Sequence, residues 1–250
     1  MRKFRFLLLC WIAWNLGVAH AELVVAVASN FAQVAQKISH SFQRQTGHPV
    51  KLVFGSTGGL YAQIKQGAPY QVFMSADDQT PARLVSEGRA IAGTQMTYAM
   101  GRLALWSRQP GMWDDPGQAL KSEALARLAM ANPLLAPYGA ASVQVLQRMG
   151  LWPALQPKIV QGENIGQAYQ FVQSGNVPIG FVAWSQISLD GKLLQGSAWL
   201  VPADWHQPIR QDAVLLKAGQ GQTAALAWLS FLSQESTRTL IRSHGYSLQS

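Results

Sequence analysis

The stretch "VFGSTGGLYAQIKQG", Val53 to Gly67, joins a short apolar run to a glycine-and-hydroxyl turn and then to a helical pattern. Strand, glycine turn and helix is an arrangement with which proteins hold phosphates, and one with which some hydrolases display a nucleophilic serine. Neither signature fits. The elbow G-x-S-x-G needs glycine two residues before the serine, and Phe54 stands there ahead of Ser56. The phosphate loop G-x-x-x-x-G-K-[ST] needs a lysine directly after the turn, and there is none. A helix start still offers unsatisfied N–H groups and a partial positive charge, so the turn suits an anion without any basic side chain. Glycines admit close backbone approach, while Ser56 and Thr57 add hydroxyl donors. Taken alone, the same residues also read as an ordinary helix cap.

Outward from this turn, strand–helix units recur. "LVVAVAS" (Leu23 to Ser29) is a continuous apolar run, as expected of a strand buried on both faces of a parallel sheet. Behind it, Phe31, Val34, Ala35, Ile38 and Phe42 mark one helical face that Gly47 ends. "PVKLVF" and "YQVFMSA" read as further strands, and "TPARLVSEG" as a helix with proline in its first turn. "TYAMGRLALWS" reads as one long strand and "QALKSEALARL" as a helix. "AMANPLLAPYG" reads as a strand entering a turn, "AASVQVLQRMG" and "NIGQAYQFVQSG" as helices with glycine stops, and "VPIGFVAWS" and "PIRQDAVLL" as strands. The chain ends in amphipathic helices, with Ala224, Trp228, Phe231 and Leu232 on one face. This is α/β organisation in two lobes joined by strands, without a flexible linker. Met74 and Met96 read as core, Trp184 as a packing residue at the lobe junction, and Asp77 and Asp78 as turn and cap residues.

Four hydroxyl- or amide-bearing turns line up in this reading. Ser29-Asn30 precedes the first helix and Ser56-Thr57 the second, while Tyr138 and Asn164-Ile165 precede two later ones. All follow strands, and open α/β sheets gather such loops along their carboxyl edge. Two fall in each half of the chain, as expected for a ligand held between two lobes. No lysine or arginine lies inside any of them. Neutral donors in that arrangement suit a small, fully ionised oxyanion held by hydrogen bonds and not by a countercharge. The rival readings are another oxyanion (sulfate, thiosulfate, phosphate) in the same fold, and a secreted hydrolase using Ser56 or Ser29.

The remaining composition narrows the setting. Arg2, Lys3 and Arg5 precede "FLLLCWIAW", and Ala19-His20-Ala21 supplies an A-x-A site, so residues 1–21 read as a secretory signal peptide with the mature protein starting near Glu22. The sole cysteine, Cys10, lies inside it, which leaves the mature chain to rely on its core alone. Net charge falls from +8 to +5, because three of the 20 Lys and Arg residues leave with the signal and none of the 12 Asp and Glu residues does. Arg83, Arg89, Arg102 and Arg108 are interleaved with Asp77, Asp78 and Glu87, so no nucleic-acid stripe forms. No H-x-x-x-H or C-x-x-C spacing supports a metal site.

At this point the sequence resembles the periplasmic molybdate-binding proteins (ModA family) of ABC-type importers. The marks are "VAVASNF", "FGSTGGLYAQIKQGAPYQVFMSAD", "PYGAASVQVLQRMGLW", "GENIGQAYQFVQSGNVPIGFVAWSQ" and "QPIRQDAVLL", in family order and over nearly the whole mature chain. The resemblance implies a two-lobed type II periplasmic binding fold, with residues 22–99 and 209–250 as lobe I and 100–208 as lobe II. It implies a non-enzymatic, monomeric periplasmic protein without a cofactor, which closes over one molybdate or tungstate and passes it to a membrane permease. Carried over position by position, the ligand set is Ser29, Asn30, Ser56, Thr57, Tyr138 and Ile165. Three positions depart from the family pattern. Ala183 stands where some members place a tyrosine, Gln71 replaces an aspartate, and Gly59 stands where lysine or threonine is common.

Overall fold

The structure is a computed structural model and describes residues 22–248. The signal-peptide reading of residues 1–21 lies outside the described residues. The chain opens with β1 (Leu23–Ala28), a 3-10 turn over Ser29–Phe31 and α1 (Ala32–Thr46). Gly47 closes α1 at φ 75°, a left-handed conformation that glycine adopts without steric cost. β2 (Val50–Gly55) leads into α2 (Thr57–Lys65), then β3 (Val72–Met74) into α3 (Gln79–Ser86). β4 (Met96–Gly101) and β5 (Leu103–Ser107) follow, with α4 (Pro116–Lys121) and β6 (Leu128–Ala131). Next come α5 (Pro137–Arg148), α6 (Trp152–Leu155), β7 (Ile159–Gly162), α7 (Ile165–Gln173), β8 (Gly180–Ala183) and α8 (Trp184–Ile187). β9 (Ser188–Leu189) and β10 (Lys192–Leu193) form a small antiparallel pair, and β11 (Ser197–Leu200) precedes β12 (Ile209–Leu215). α9 (Thr223–Leu232) and α10 (Glu235–Ser243) complete the chain.

Two five-stranded sheets organise these elements, in the orders β2-β1-β3-β12-β4 and β11-β5-β8-β6-β7. In the first, β1 runs parallel to β2 and β3, which fits its apolar run without alternation. β12 returns antiparallel between β3 and β4. In the second, β6 runs parallel to β7 and β8. Each sheet is covered on both faces. In lobe I, α1, α9 and α10 bury Phe42, Trp228 and Phe231 on one side, while Leu60, Ile64 and Leu84 of α2 and α3 pack on the other. Lobe II buries Leu105, Met130, Val145 and Phe181 in one cluster and Trp106, Val172 and Val182 in a second. Fully burying one such large side chain contributes roughly 1.5–3 kcal/mol.

Three readings are corrected. "TYAMGRLALWS" is two strands in different sheets, broken at Arg102, because the chain changes lobes there. The helix expected over "QALKSEALARL" ends at Lys121; Ser122 is extended, and the chain must turn to enter β6. The strand read in "VPIGFVAWS" ends at Ala183, and Trp184 begins a short helix. Met74 is fully buried in the core, as read, whereas Met96 is half-buried and packs at its margin.

Candidate functional site

The four turns converge. Ser29 and Asn30 follow β1, and Ser56 and Thr57 follow β2, at the carboxyl ends of two paired parallel strands of lobe I. Tyr138 opens α5 after β6, and Ile165 opens α7 after β7, at the matching edge of lobe II. All six residues line one small pocket between the lobes, together with Asn164, Pro137 and the small residues Ala28, Gly55, Ala76 and Ala136. The pocket is small, about 10 Å³ in this closed form. No charged side chain lines it. Beside it, a wider groove of about 320 Å³ runs between Asp77 and Thr80 of lobe I and Leu134 and Gln144 of lobe II.

The hydroxyls share one polarity. Ser56 is the N-cap of α2, its Oγ accepting from Gly59 N at 3.2 Å. Thr57 Oγ1 accepts from Ala76 N at 3.1 Å, which joins α2 to the end of β3. Ser29 Oγ accepts across the cleft from Gly166 N at 3.2 Å. Tyr138 Oη accepts from Gln211 Nε2 at 3.1 Å. Each oxygen is therefore met by an N–H donor, and its own proton remains for an acceptor. Burial, and then the neighbouring Tyr246 phenol, hold the Tyr138 pKa well above the usual phenol range, so this proton stays in place. The leading N–H groups of α2 at Thr57, of α5 at Tyr138 (Pro137 before it has none) and of α7 at Ile165 have no partner within their own helices. Donor protons from four chain segments thus face an uncharged pocket, a cradle for an acceptor-only ligand.

Asn30 behaves differently from the hydroxyls. Its Nδ2 donates to Gln211 Oε1 at 2.9 Å and to Tyr246 Oη at 3.0 Å, so the side-chain protons are spent below the pocket. Its Oδ1 is buried and makes no hydrogen bond. Ala183, where a phenol is absent, is fully buried at the end of β8. Its N–H donates to Gln186 Oε1 at 2.9 Å, and Gln186 Nε2 reaches the Ile165 carbonyl at 3.3 Å. Gln71 has a structural part, accepting from the Val24 N–H on the neighbouring strand. Asp77 caps the turn before α3, accepting from Thr80 N at 2.8 Å. No histidine, aspartate or glutamate lines the pocket, so neither Ser29 nor Ser56 has a base beside it.

Sequence reasoning missed the layer under the pocket. Gln211, Tyr98, Tyr246 and Ser185 are all buried and hydrogen-bonded to one another or to Asn30. Its one signal was a polar Gln-Asp pair inside the otherwise apolar strand "PIRQDAVLL", since buried polar groups require partners.

The lobes are closed on one another. Gly58 N donates to Leu135 O at 2.9 Å, and Ser185 Oγ of lobe II donates to Tyr246 Oη of lobe I at 2.8 Å. Two α/β lobes joined by crossing strands, with helix starts from both facing one small cleft pocket, define a two-lobed solute-binding protein of the type II periplasmic fold.

Comparison with known proteins gives the same class. Residues 23–247 match the bacterial extracellular solute-binding protein family. The molybdate-binding protein ModA of Azotobacter vinelandii is 50% identical over 229 residues, 92% of this chain and 91% of that one. ModA of Rhodobacter capsulatus is 47% identical over 232 residues, 92% of this chain and 90% of its own. The solved periplasmic molybdate-binding protein of Azotobacter vinelandii superposes with a TM-score of 0.87 at 39% identity, over 91% of this chain and 100% of that one. The chain belongs to the bacterial extracellular solute-binding protein family, on the branch that holds the ModA proteins.

Proposed function

We propose that this protein captures molybdate or tungstate in the periplasm and delivers it to the permease of an ABC importer. The observation that carries the reading is the polarity of the pocket. Ser29, Ser56, Thr57 and Tyr138 each accept an N–H and keep their own proton for a ligand, and no charged side chain lines the pocket. A tetrahedral dianion accepts on all four oxygens and donates nothing, so it complements that set. In this reading Asn30 and Ile165 contribute backbone N–H groups from the starts of their helices. The chain leaves lobe I after β4, at Arg102, and returns to it with β12, and the protein works as a monomer exported by the signal in residues 1–21.

Magnitudes allow useful affinity. About six hydrogen bonds to charge at roughly 1.5–3 kcal/mol each, less about 4 kcal/mol or more for association, reach the −8 to −11 kcal/mol of micromolar to tens-of-nanomolar binding. Size separates the ligands. A shell set for long metal–oxygen bonds leaves sulfate with stretched hydrogen bonds, which are costly in a closed pocket.

The test is thermal unfolding of the ligand-stripped mature protein with molybdate, tungstate, sulfate or phosphate. Ligand at 100 times its Kd stabilises by about 2.7 kcal/mol. For a chain of this size that raises Tm by roughly 5–11 °C. Shifts with molybdate and tungstate alone are expected. A shift with sulfate or phosphate alone keeps the fold and overturns the ligand, and no shift with any returns the four turns to simple helix caps.

A further inference from the structure

Gln211 is fully buried in β12, and it touches both lobes at once. Its Oε1 accepts from Asn30 Nδ2 at 2.9 Å and from Tyr98 Oη at 3.1 Å. Its Nε2 donates to Tyr138 Oη, at the start of the lobe II helix α5, at 3.1 Å. One amide therefore spans two of the residues that line the anion pocket from opposite sides. The register of β12 against β4 shifts between Gln211 and Asp212, so the strand is irregular where this side chain leaves it.

The direction of the chain of bonds matters. Ser185 Oγ donates to Tyr246 Oη, and Tyr246 Oη donates to the Asn30 carbonyl at 2.9 Å. Asn30 Nδ2 then donates to Gln211, and Gln211 donates to Tyr138. The run ends on the Tyr138 phenol, whose oxygen accepts from Gln211 Nε2 and which also lies against the Asn30 side chain. Reversing the Gln211 amide would turn its carbonyl toward Tyr138 and take the phenol proton.

We propose that Gln211 is a positioning residue for anion capture. It holds the Tyr138 oxygen as an acceptor so that the phenol proton is left for the bound oxyanion, and through Asn30 it ties this orientation to lobe I. The proposal rests on the oxyanion-binding reading above and adds to it a residue that does not touch the ligand.

A double-mutant cycle measured by titration calorimetry with molybdate tests it. Gln211→Met and Tyr138→Phe are each expected to raise Kd by about tenfold or more. The double variant is expected to be no more than about threefold weaker than the weaker single one, because both remove the same bond. Independent factors that multiply in the double variant, or a Gln211→Met Kd within about threefold of wild type, overturn the proposal. If Gln211→Met does not fold, Gln211→Glu keeps the shape and the acceptor for Asn30. Its Kd is expected to rise at least about tenfold from pH 6 to pH 9, as the carboxyl ionises and claims the Tyr138 proton, while wild type stays nearly flat. A flat Gln211→Glu profile at wild-type affinity overturns the proposal. Wild type that binds neither molybdate nor tungstate overturns the ligand reading and this proposal with it. Binding by wild type with unaffected Gln211 variants overturns the positioning role alone.

Discussion

The backbone N–H of Gly58, the second residue of α2, donates to the carbonyl oxygen of Leu135 just before α5, at 2.9 Å across the cleft. No side chain takes part, and one added here would be tight. A Cβ on Gly58 would lie 3.1 Å from Leu135 Cδ2, 3.2 Å from its Cα and 3.3 Å from its carbonyl oxygen. The contact exists only when the lobes meet, so Gly58 acts on closure and not on the folding of either lobe. Gly58→Ala is expected to cost the closed state about 1–3 kcal/mol, as overpacking of a tight contact does, and to weaken molybdate binding roughly 5- to 150-fold. Stopped-flow release should show most of that change in the dissociation rate, with the unliganded Tm moving little. A ligand-free Tm loss as large as the affinity loss would place Gly58 inside the lobe core instead.

Thr57 is buried and uses its hydroxyl twice over. Oγ1 accepts from Ala76 N at 3.1 Å and keeps a proton for the pocket. Thr57→Val keeps the shape and removes both, together with the 3.4 Å bond that Oγ1 accepts from Ser75 Oγ. Losing one hydrogen bond to a charged ligand costs roughly 1.5–3 kcal/mol, so Kd for molybdate should rise about 10- to 150-fold. Thr57→Ser keeps the hydroxyl and should stay within about threefold. The paired titrations separate the hydroxyl from the methyl; equal losses in both would assign the effect to packing.

Glu87 illustrates acid sensitivity away from the site. Lys65 at 2.9 Å, then the Tyr61 hydroxyl at 2.8 Å, and Arg83 at 3.1 Å lower its pKa from 4.5 to about 2. A carboxylate whose folded pKa is depressed stabilises the fold above its unfolded value and loses that contribution as pH falls. The stability difference between wild type and Glu87→Gln should therefore be present at pH 6 and close between about pH 4.5 and about pH 2. Asp77 works in the opposite sense. Burial raises its pKa, so ionising it costs folded stability, and that cost disappears as pH falls below its raised value. Melting curves of Glu87→Gln and wild type across this window are the measurement, and a constant gap would contradict the assigned shift.

The parts of the site legible in the sequence were those set by local chemistry. A helix start after a parallel strand announces itself through Ser, Thr, Asn and glycine, and the paired parallel strands then bring four such starts to facing edges without further instruction. Ser29, Ser56, Thr57 and Ile165 follow from that rule. What stayed hidden depends on distant partners. Gln211 and Asn30 meet across 181 positions, and no local pattern in "PIRQDAVLL" names the partner. The break at Arg102 was hidden for a related reason, since an apolar strand pattern continues through Gly101 while the chain passes from one sheet to the other. Tyr138 was legible as a residue, but the direction of its proton was not, because that is fixed by Gln211.

Gly101 is where these hidden constraints meet. It ends β4 at the crossing between the lobes, where Met100 and Ser247 pair through their backbones. A Cβ there would collide with the Tyr138 hydroxyl oxygen, would lie 2.6 Å from Gln211 Nε2 and would come within 3.0 Å of Tyr138 Cζ. Real Cβ atoms do not approach so closely, so any side chain at this position must push the phenol or the amide aside. The backbone itself does not demand glycine, since Gly101 is not among the positive-φ positions. The constraint is therefore the space held by the polar layer. Gly101→Ala is expected to destabilise the protein by about 1–3 kcal/mol through overpacking. It is also expected to weaken molybdate binding by at least about tenfold, because the displaced phenol no longer offers its proton. Adding Tyr138→Phe removes the colliding oxygen and leaves the Gln211 Nε2 contact, so the double variant should regain part of the lost Tm while binding stays weak. Recovery of Tm without recovery of affinity distinguishes the space requirement from the donor requirement; recovery of both would show that the phenol proton contributes little to the ligand.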